Sequence, residues 1–122
     1  MPTTPRPAIS LHASFWLMAG DESLGGRGRI ELLERIAETG SIRQAALGME
    51  MSYRAAWGAV QVMNDRVGVS LVMRETGGRG GGGARLSAEG MALLKAYRAL
   101  EVEHARAVTR LNKRLQALLS PA

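Results

Sequence analysis

Two helix starts lie close together in the middle of the chain, and they limit the folds it can adopt. The first is the segment SIRQ at 41–44, a capping box in which Ser41 caps the helix and Gln44 reaches back. After a break at 49–51, Ser52 is a second N-cap, and a longer helix follows to about Val67. Two short helices joined by a tight turn, the second the longer, predict a helix-turn-helix.

The residues before this pair predict one more helix and a strand. From Arg27 the apolar residues Ile30, Leu33, Ile36 and Ala37 recur at helical spacing, and Gly40 suits the left-handed cap that ends this helix. Over 9–18 apolar and polar residues alternate, which predicts a half-buried strand followed by a turn at 20–26.

The residues after the pair predict a hairpin. A strand-like run at 69–74 leads to the glycine-rich segment TGGRGGGGA at 76–84 and then to Arg85 and Leu86. No Gly-Lys-Ser/Thr follows the glycines, so a phosphate-binding loop is excluded. A flexible linker stays an alternative, but Arg74, Arg79 and Arg85 bracket the segment and favour a basic wing.

The predicted fold is therefore mainly α with a small β-sheet: a winged helix-turn-helix with a long C-terminal dimerisation helix. Ser87 caps that last helix, which extends to about Leu119. We expect a flexible tail over 1–8, the winged helix-turn-helix over 9–86, and the dimerisation helix over 87–122 as part of the same domain.

Charge and composition limit the classes of function that this chain can have. The 122 residues carry a formal net charge of +5, which suits a polyanionic partner. The absence of cysteine excludes disulfides, thiolate-bound zinc and cysteine nucleophiles. No nucleophile, base and orienting group converge, so we expect no enzyme and no cofactor. No stretch is apolar enough to span a bilayer, so we expect a cytoplasmic protein without membrane contact.

The predicted second helix, 52–67, has two different faces. Ala56, Ala59, Val60, Met63 and Val67 form an apolar stripe for the core. Ser52, Tyr53, Arg54 and Gln61 lie at the start or on the opposite side, where a recognition helix meets DNA bases and phosphates. A solvated face is the alternative, and we interpret Trp57 as a packing residue. Gly58 lowers helix propensity by roughly 1 kcal/mol, which would be explained by close approach of a backbone.

Several segments together resemble a known family. These are GSIRQAA at 40–46, MSYRAAW at 51–57, Asn64, and TGGRGGGGA at 76–84. They closely resemble the N-terminal domain of ModE-type molybdate-responsive regulators, which is similar to the DNA-binding domains of LysR-type regulators. The resemblance covers about residues 13–108.

The resemblance implies a dimer that binds double-stranded DNA with a major-groove helix beginning at Ser52. The family's DNA contacts map onto Ser52, Tyr53 and Arg54, and Arg79 stands at a wing position usually held by Lys. Two departures matter. The chain ends at Ala122 without room for the family's molybdate-binding domains, so we do not expect molybdate to bind it. The turn before the recognition helix has Glu50 where the family has Gly, so either Glu50 is strained by roughly 1 kcal/mol or Gly48 takes the bend.

Apolar residues recur at alternating three- and four-residue steps along the last helix, which is a coiled-coil spacing. Two polar residues, Glu101 and His104, interrupt this apolar series. We predict that this stripe forms the interface of a homodimer, with the members Leu94, Tyr97, Glu101, His104, Val108, Leu111 and Leu115. Glu101 and His104 have the spacing of some di-metal bundles, but without companion carboxylates we expect a hydrogen-bonded pair and no metal.

Two functions remain open at this point. The first is a DNA-binding transcription regulator acting as a homodimer. The second is a protein-interaction and dimerisation module that retains the fold and pairs with a full-length regulator. Arg54 and the arginine wing favour the first.

Overall fold

Helices dominate the computed structural model, which describes residues 5–75 and 83–121. Two antiparallel two-stranded sheets accompany them in this part of the chain, so the predicted class, mainly α with a small β content, is confirmed. In chain order the elements are β1 (Leu17–Ala19), β2 (Glu22–Gly25), α1 (Arg27–Thr39), α2 (Ile42–Gly48), α3 (Tyr53–Val67), β3 (Val72–Glu75), β4 (Gly83–Leu86) and α4 (Ala88–Leu119).

The chain forms two units. One contains residues 15–98, and the other contains residues 1–14 together with 99–122. This division lies within α4, whereas the boundary drawn from sequence lies before it, at 86/87. The boundaries drawn from sequence stay a prediction.

The first unit has its core between the helices and the second hairpin. In α1 the buried residues are Ile30, Leu32, Leu33 and Ile36, while Ala37 is exposed, contrary to its predicted place on the apolar face. Gly40 has a φ of 68° and its amide donates to the carbonyl of Ile36, as the predicted left-handed cap requires. The core of the unit also includes the predicted α3 residues Ala56, Val60 and Met63.

Both predicted N-caps are present. The hydroxyl of Ser41 accepts from the amide of Gln44 at 3.1 Å, and that of Ser52 accepts from the amide of Ala55 at 3.0 Å. The expected return bond from the Gln44 side chain is replaced, because the amide of Ser41 donates to Thr39 Oγ1 at 3.3 Å.

The turn between α2 and α3 bends at Glu50. Its φ is 55°, in the left-handed region that a residue with a Cβ seldom adopts, whereas Gly48 does not have a positive φ. The first of the two predicted alternatives is therefore the right one: Glu50 itself takes the strained conformation that places α3.

The predicted strand over 9–18 is wrong except at its end, and the predicted turn at 20–26 is confined to residues 20–21, where Gly20 has a φ of 60°. Only residues 17–19 have a strand partner, and that partner is β2, within the supposed turn. The upstream backbone is bonded to side chains instead. Asn112 accepts from the amide of Leu11 at 2.6 Å and donates to its carbonyl at 2.9 Å, and Gln116 donates to the carbonyl of Ile9 at 2.7 Å.

The hairpin after α3 has the predicted form. β3 and β4 are antiparallel, with Val72 opposite Leu86 and Glu75 opposite Gly83. The strand begins later than the predicted 69–74 run. Residues 76–82, including most of the glycine-rich segment, lie outside the described residues.

A close approach fixes the start of α4. The amide of Ser87 donates to the carbonyl of Leu71 at 2.9 Å, and the Ser87 hydroxyl accepts from the amide of Gly90, as a cap should. A Cβ on Gly90 would lie 2.1 Å from the Leu71 oxygen. The amide of Leu71 is bonded as well, because it donates to Asn64 Oδ1 at 2.8 Å. Each helix in the described part of the chain is too short or too polar to span a bilayer.

Candidate nucleic-acid interface

The N-terminal end of α3 presents its polar side chains to solvent. Ser52 caps the helix, Tyr53 is half-buried, and Arg54 is exposed. Gln61 is exposed two turns later on the same face as Arg54. Neither Arg54 nor Gln61 has a hydrogen bond or ion pair with the described residues. Both side chains therefore have unused hydrogen-bonding groups.

Between these two residues the surface of α3 is open at Gly58. A Cβ added there would meet nothing within 4 Å. Packing inside the chain therefore does not require a glycine at this position. That finding is consistent with close approach of an external backbone.

Two arginines from neighbouring elements stack on the aromatic residues of α3. The guanidinium carbon of Arg43, in α2, lies 4.9 Å from the centroid of the Tyr53 ring. That of Arg74, in β3, lies 4.3 Å from the centroid of the Trp57 ring. Arg74 Nη2 also donates to the hydroxyl of Tyr53. We call Arg43, Tyr53, Arg74 and Trp57 the stacked cluster.

Only part of the stacked cluster was predicted from the sequence. Tyr53 and Arg74 were predicted, and Trp57 does pack against the core as interpreted. Arg43 was missed, although it was visible as a cation in the first turn of the predicted short helix. The role of the Trp57 ring face was missed as well, because it depends on a residue of β3 that is 17 positions away in sequence.

The wing arginines differ in their surroundings. Arg85 pairs with Glu75 at 2.8 Å, and both side chains are more than half exposed. Such an exposed pair contributes little to stability and leaves the arginine accessible. Arg74 belongs to the stacked cluster, and Arg79 lies outside the described residues.

Cations of three elements thus surround the start of α3: Arg43, Arg54 and Arg74. The N-terminus of a helix adds unpaired backbone amides and the positive end of the helix dipole. The arrangement can bind a polyanion at several points. It offers guanidinium and amide donors to such a partner.

The predicted dimer stripe divides into two parts. Leu94 and Tyr97 are 7% and 2% exposed and belong to the core of residues 15–98, where Tyr97 lies 4.8 Å from the Phe15 ring. Because Leu94 and Tyr97 are already buried within one protomer, their burial does not support the prediction that they lie in a dimer interface. In the second unit Leu111 is 46% exposed, and the remaining members Glu101, His104, Val108 and Leu115 are half-buried. No group of residues able to hold a metal ion occurs in the described part of the chain.

The sequence pattern of the bacterial regulatory helix-turn-helix proteins of the lysR family matches residues 28–91, more than half of the chain. The chain belongs to this family. The match covers nearly all of α1, the beginning of α4 and everything between them, and so includes α2, α3 and the second hairpin, which carry the interface residues described above.

Within the family, the chain is similar to the N-terminal region of ModE-type regulators, so the resemblance seen in the sequence is confirmed. It is 47% identical over 87 residues to the molybdenum transport protein ModE of Azotobacter vinelandii, covering 71% of this chain and 32% of that protein. It is 48% identical over 69 residues to the DNA-binding transcriptional dual regulator ModE of Escherichia coli, covering 57% of this chain and 26% of that protein. The chain thus spans about a third or less of the length of these relatives.

A solved structure has the same fold. The crystal structure of the CbnR_DBD–DNA complex superposes with a TM-score of 0.55 at 26% sequence identity, covering 74% of this chain and 95% of that one. The winged helix-turn-helix architecture predicted from the sequence is therefore confirmed.

Proposed function

We propose that this protein is a transcription regulator that binds double-stranded DNA, with α3 in the major groove and the wing on the backbone or in the minor groove. The observation that carries this proposal is the exposed start of α3, where Arg54 is unpaired within the described residues and two arginines flank it. Family membership and the fold of the DNA-bound neighbour support it. The chain works by binding and has no catalytic role.

We further propose that the working form is a homodimer paired through α4. Support comes from the exposed Leu111 and Leu118 of the second unit, which continue the stripe at coiled-coil spacing. A symmetric dimer would place its two α3 helices in successive major grooves, about 34 Å or a small multiple apart. The preferred operator is then a pseudo-palindrome.

Two arginine variants test the DNA proposal, on a duplex selected from a random pool by the wild-type protein and on its scrambled form. If Arg54 reads a base, Arg54→Ala weakens binding to the selected duplex by about 1–3 kcal/mol and relaxes base preference. Arg79→Ala weakens both duplexes alike and lowers the slope of log K against log salt by about one, as expected of a phosphate contact. Fluorescence anisotropy over a salt series measures both effects.

Arg106→Ala is the matched control, because Arg106 is exposed and belongs to α4, not to α3 or the second hairpin. It should leave both affinities near wild type. If neither Arg54→Ala nor Arg79→Ala changes binding, or if the wild type does not prefer any duplex, the DNA proposal is wrong. A module that pairs with a full-length regulator is then the better account, supported by the exposed apolar residues of α4.

A further inference from the structure

We propose that Trp57 is a positioning residue for DNA binding: its indole face holds Arg74, so that α3 and the wing present one fixed phosphate-binding guanidinium. This inference rests on the proposed function. Trp57 would otherwise count as a packing residue. Here it contributes to DNA recognition indirectly, because it positions the side chain of Arg74.

The guanidinium of Arg74 is fixed in two directions. Its carbon lies 4.3 Å from the Trp57 ring centroid, so the cation is held over the electron-rich face of the indole. Its Nη2 donates to the Tyr53 hydroxyl, which fixes the rotation of the group in its own plane. A flexible arginine side chain loses rotamer freedom when it binds, and a group already held in place loses less.

This arrangement leaves Arg74 able to bind a ligand. Stacking uses the face of the guanidinium, whereas its five N–H donors point outward in the plane. One of these donors is used by Tyr53, and the Arg74 side chain is exposed. Several donors at a fixed position beside the start of α3 remain for the oxygens of a phosphate.

The cluster also connects three elements. Tyr53 and Trp57 are one turn apart on α3, and Arg43 of α2 lies over the Tyr53 ring at 4.9 Å. The wing strand β3 is thereby joined to the recognition helix by side chains that are not part of the apolar core. The position of the wing's first strand and that of α3 are therefore set together.

A purely structural role for Trp57 makes a different prediction. Leucine could replace the part of the indole that packs on the core, but it has no π face for a cation. Phenylalanine retains an aromatic face at the same place. The two substitutions Trp57→Leu and Trp57→Phe separate packing from stacking.

The test is a double-mutant cycle on the affinity for a random-sequence duplex at low salt, using the full chain. Trp57→Leu should weaken binding about three- to tenfold, and Trp57→Phe should stay within about twofold of wild type. Arg74→Ala should weaken binding and lower the salt slope by about one. In the Arg74→Ala background, Trp57→Leu should have no further effect, because Trp57 acts through Arg74.

Equal loss from Trp57→Leu in both backgrounds overturns the inference, since it would mean that packing alone is responsible. A Trp57→Phe variant as weak as Trp57→Leu overturns it too, because the aromatic face would then be irrelevant. Urea unfolding of the same proteins ensures that affinities are compared between folded chains. If the wild type has no measurable DNA affinity, all variants fail alike, and that result overturns the proposed function itself.

Discussion

The two units of this molecule differ in how they cover their apolar side chains. Residues 15–98 enclose a core in which Leu33, Ile36, Ala56 and Val60 are completely inaccessible, although five large apolar side chains of this unit stay exposed: Trp16, Met18, Leu47, Val69 and Met91. In the unit formed by residues 1–14 and 99–122, no described residue is buried. Its exposed large apolar side chains are Ile9, Leu100, Val102, Leu111, Leu118 and Leu119.

In the proposed dimer, this difference separates what one protomer stabilises alone from what the second copy covers. The first unit has a closed core, so its stability should depend on the contacts of one chain. The second unit leaves an apolar stripe in water, which costs about 25 cal/mol for each Å² that a second copy could cover. Mutations in the two units should therefore act on different equilibria.

The largest effect should come from Gly90→Ala, which tests the closed unit. A methyl group would collide with the Leu71 carbonyl and force α4 away from the hairpin, and we expect a loss of about 3 kcal/mol in the free energy of unfolding. Urea denaturation measures it. Gly58→Ala is the control, because that site is open and the same substitution should stabilise α3 by about 1 kcal/mol. Equal effects at both glycines would contradict the close packing described for α4.

Leu111→Glu tests the open unit. We expect the dimer dissociation constant to rise at least about tenfold, because a charge would be buried between two copies of α4. Sedimentation should shift from twice 13.1 kDa towards 13.1 kDa. Ala117→Glu adds the same charge at an exposed position outside the stripe and should leave the dimer intact. A wild-type protein that is monomeric at micromolar concentration would refute the proposed pairing.

The smallest effect concerns the strained turn of the closed unit. Glu50→Gly should raise the free energy of unfolding by about 1 kcal/mol, because glycine adopts a φ of 55° without steric cost. The urea midpoint gives the measurement. Glu50→Ala removes the same charge but keeps a Cβ, so it should not gain this stability. A gain in both variants would indicate an electrostatic cause instead.

Local chemistry made much of the fold predictable. Each of the three cap serines accepts a hydrogen bond from an amide of the helix that it precedes: Ser41, Ser52 and Ser87. Gly40 supplies the left-handed conformation that ends α1. These helix ends can therefore be predicted from the sequence without knowledge of tertiary contacts. The start of α3 as the candidate interface followed from the same caps and from residues 52–54.

Other features depended on contacts distant in sequence. The alternation over residues 9–16 has the pattern of a strand, but a strand also needs a neighbour, and Asn112 binds this backbone instead. Leu94 and Leu111 have the same side chain and belong to the same stripe, yet only Leu94 is buried in the protomer. The stacked cluster required knowing that Arg74 lies over Trp57.

The clamp that Asn112 and Gln116 form on residues 9–11 has a consequence for how this segment can change over evolutionary time. Both amides bind main-chain atoms, so they fix the path of the segment without selecting its side chains. At position 9 the clamp uses only the carbonyl, so a proline there would keep this hydrogen bond. Position 11 cannot accept proline, because its N–H is a donor in the clamp. Divergent residues here are therefore compatible with an unchanged contact, provided that residue 11 keeps its amide proton.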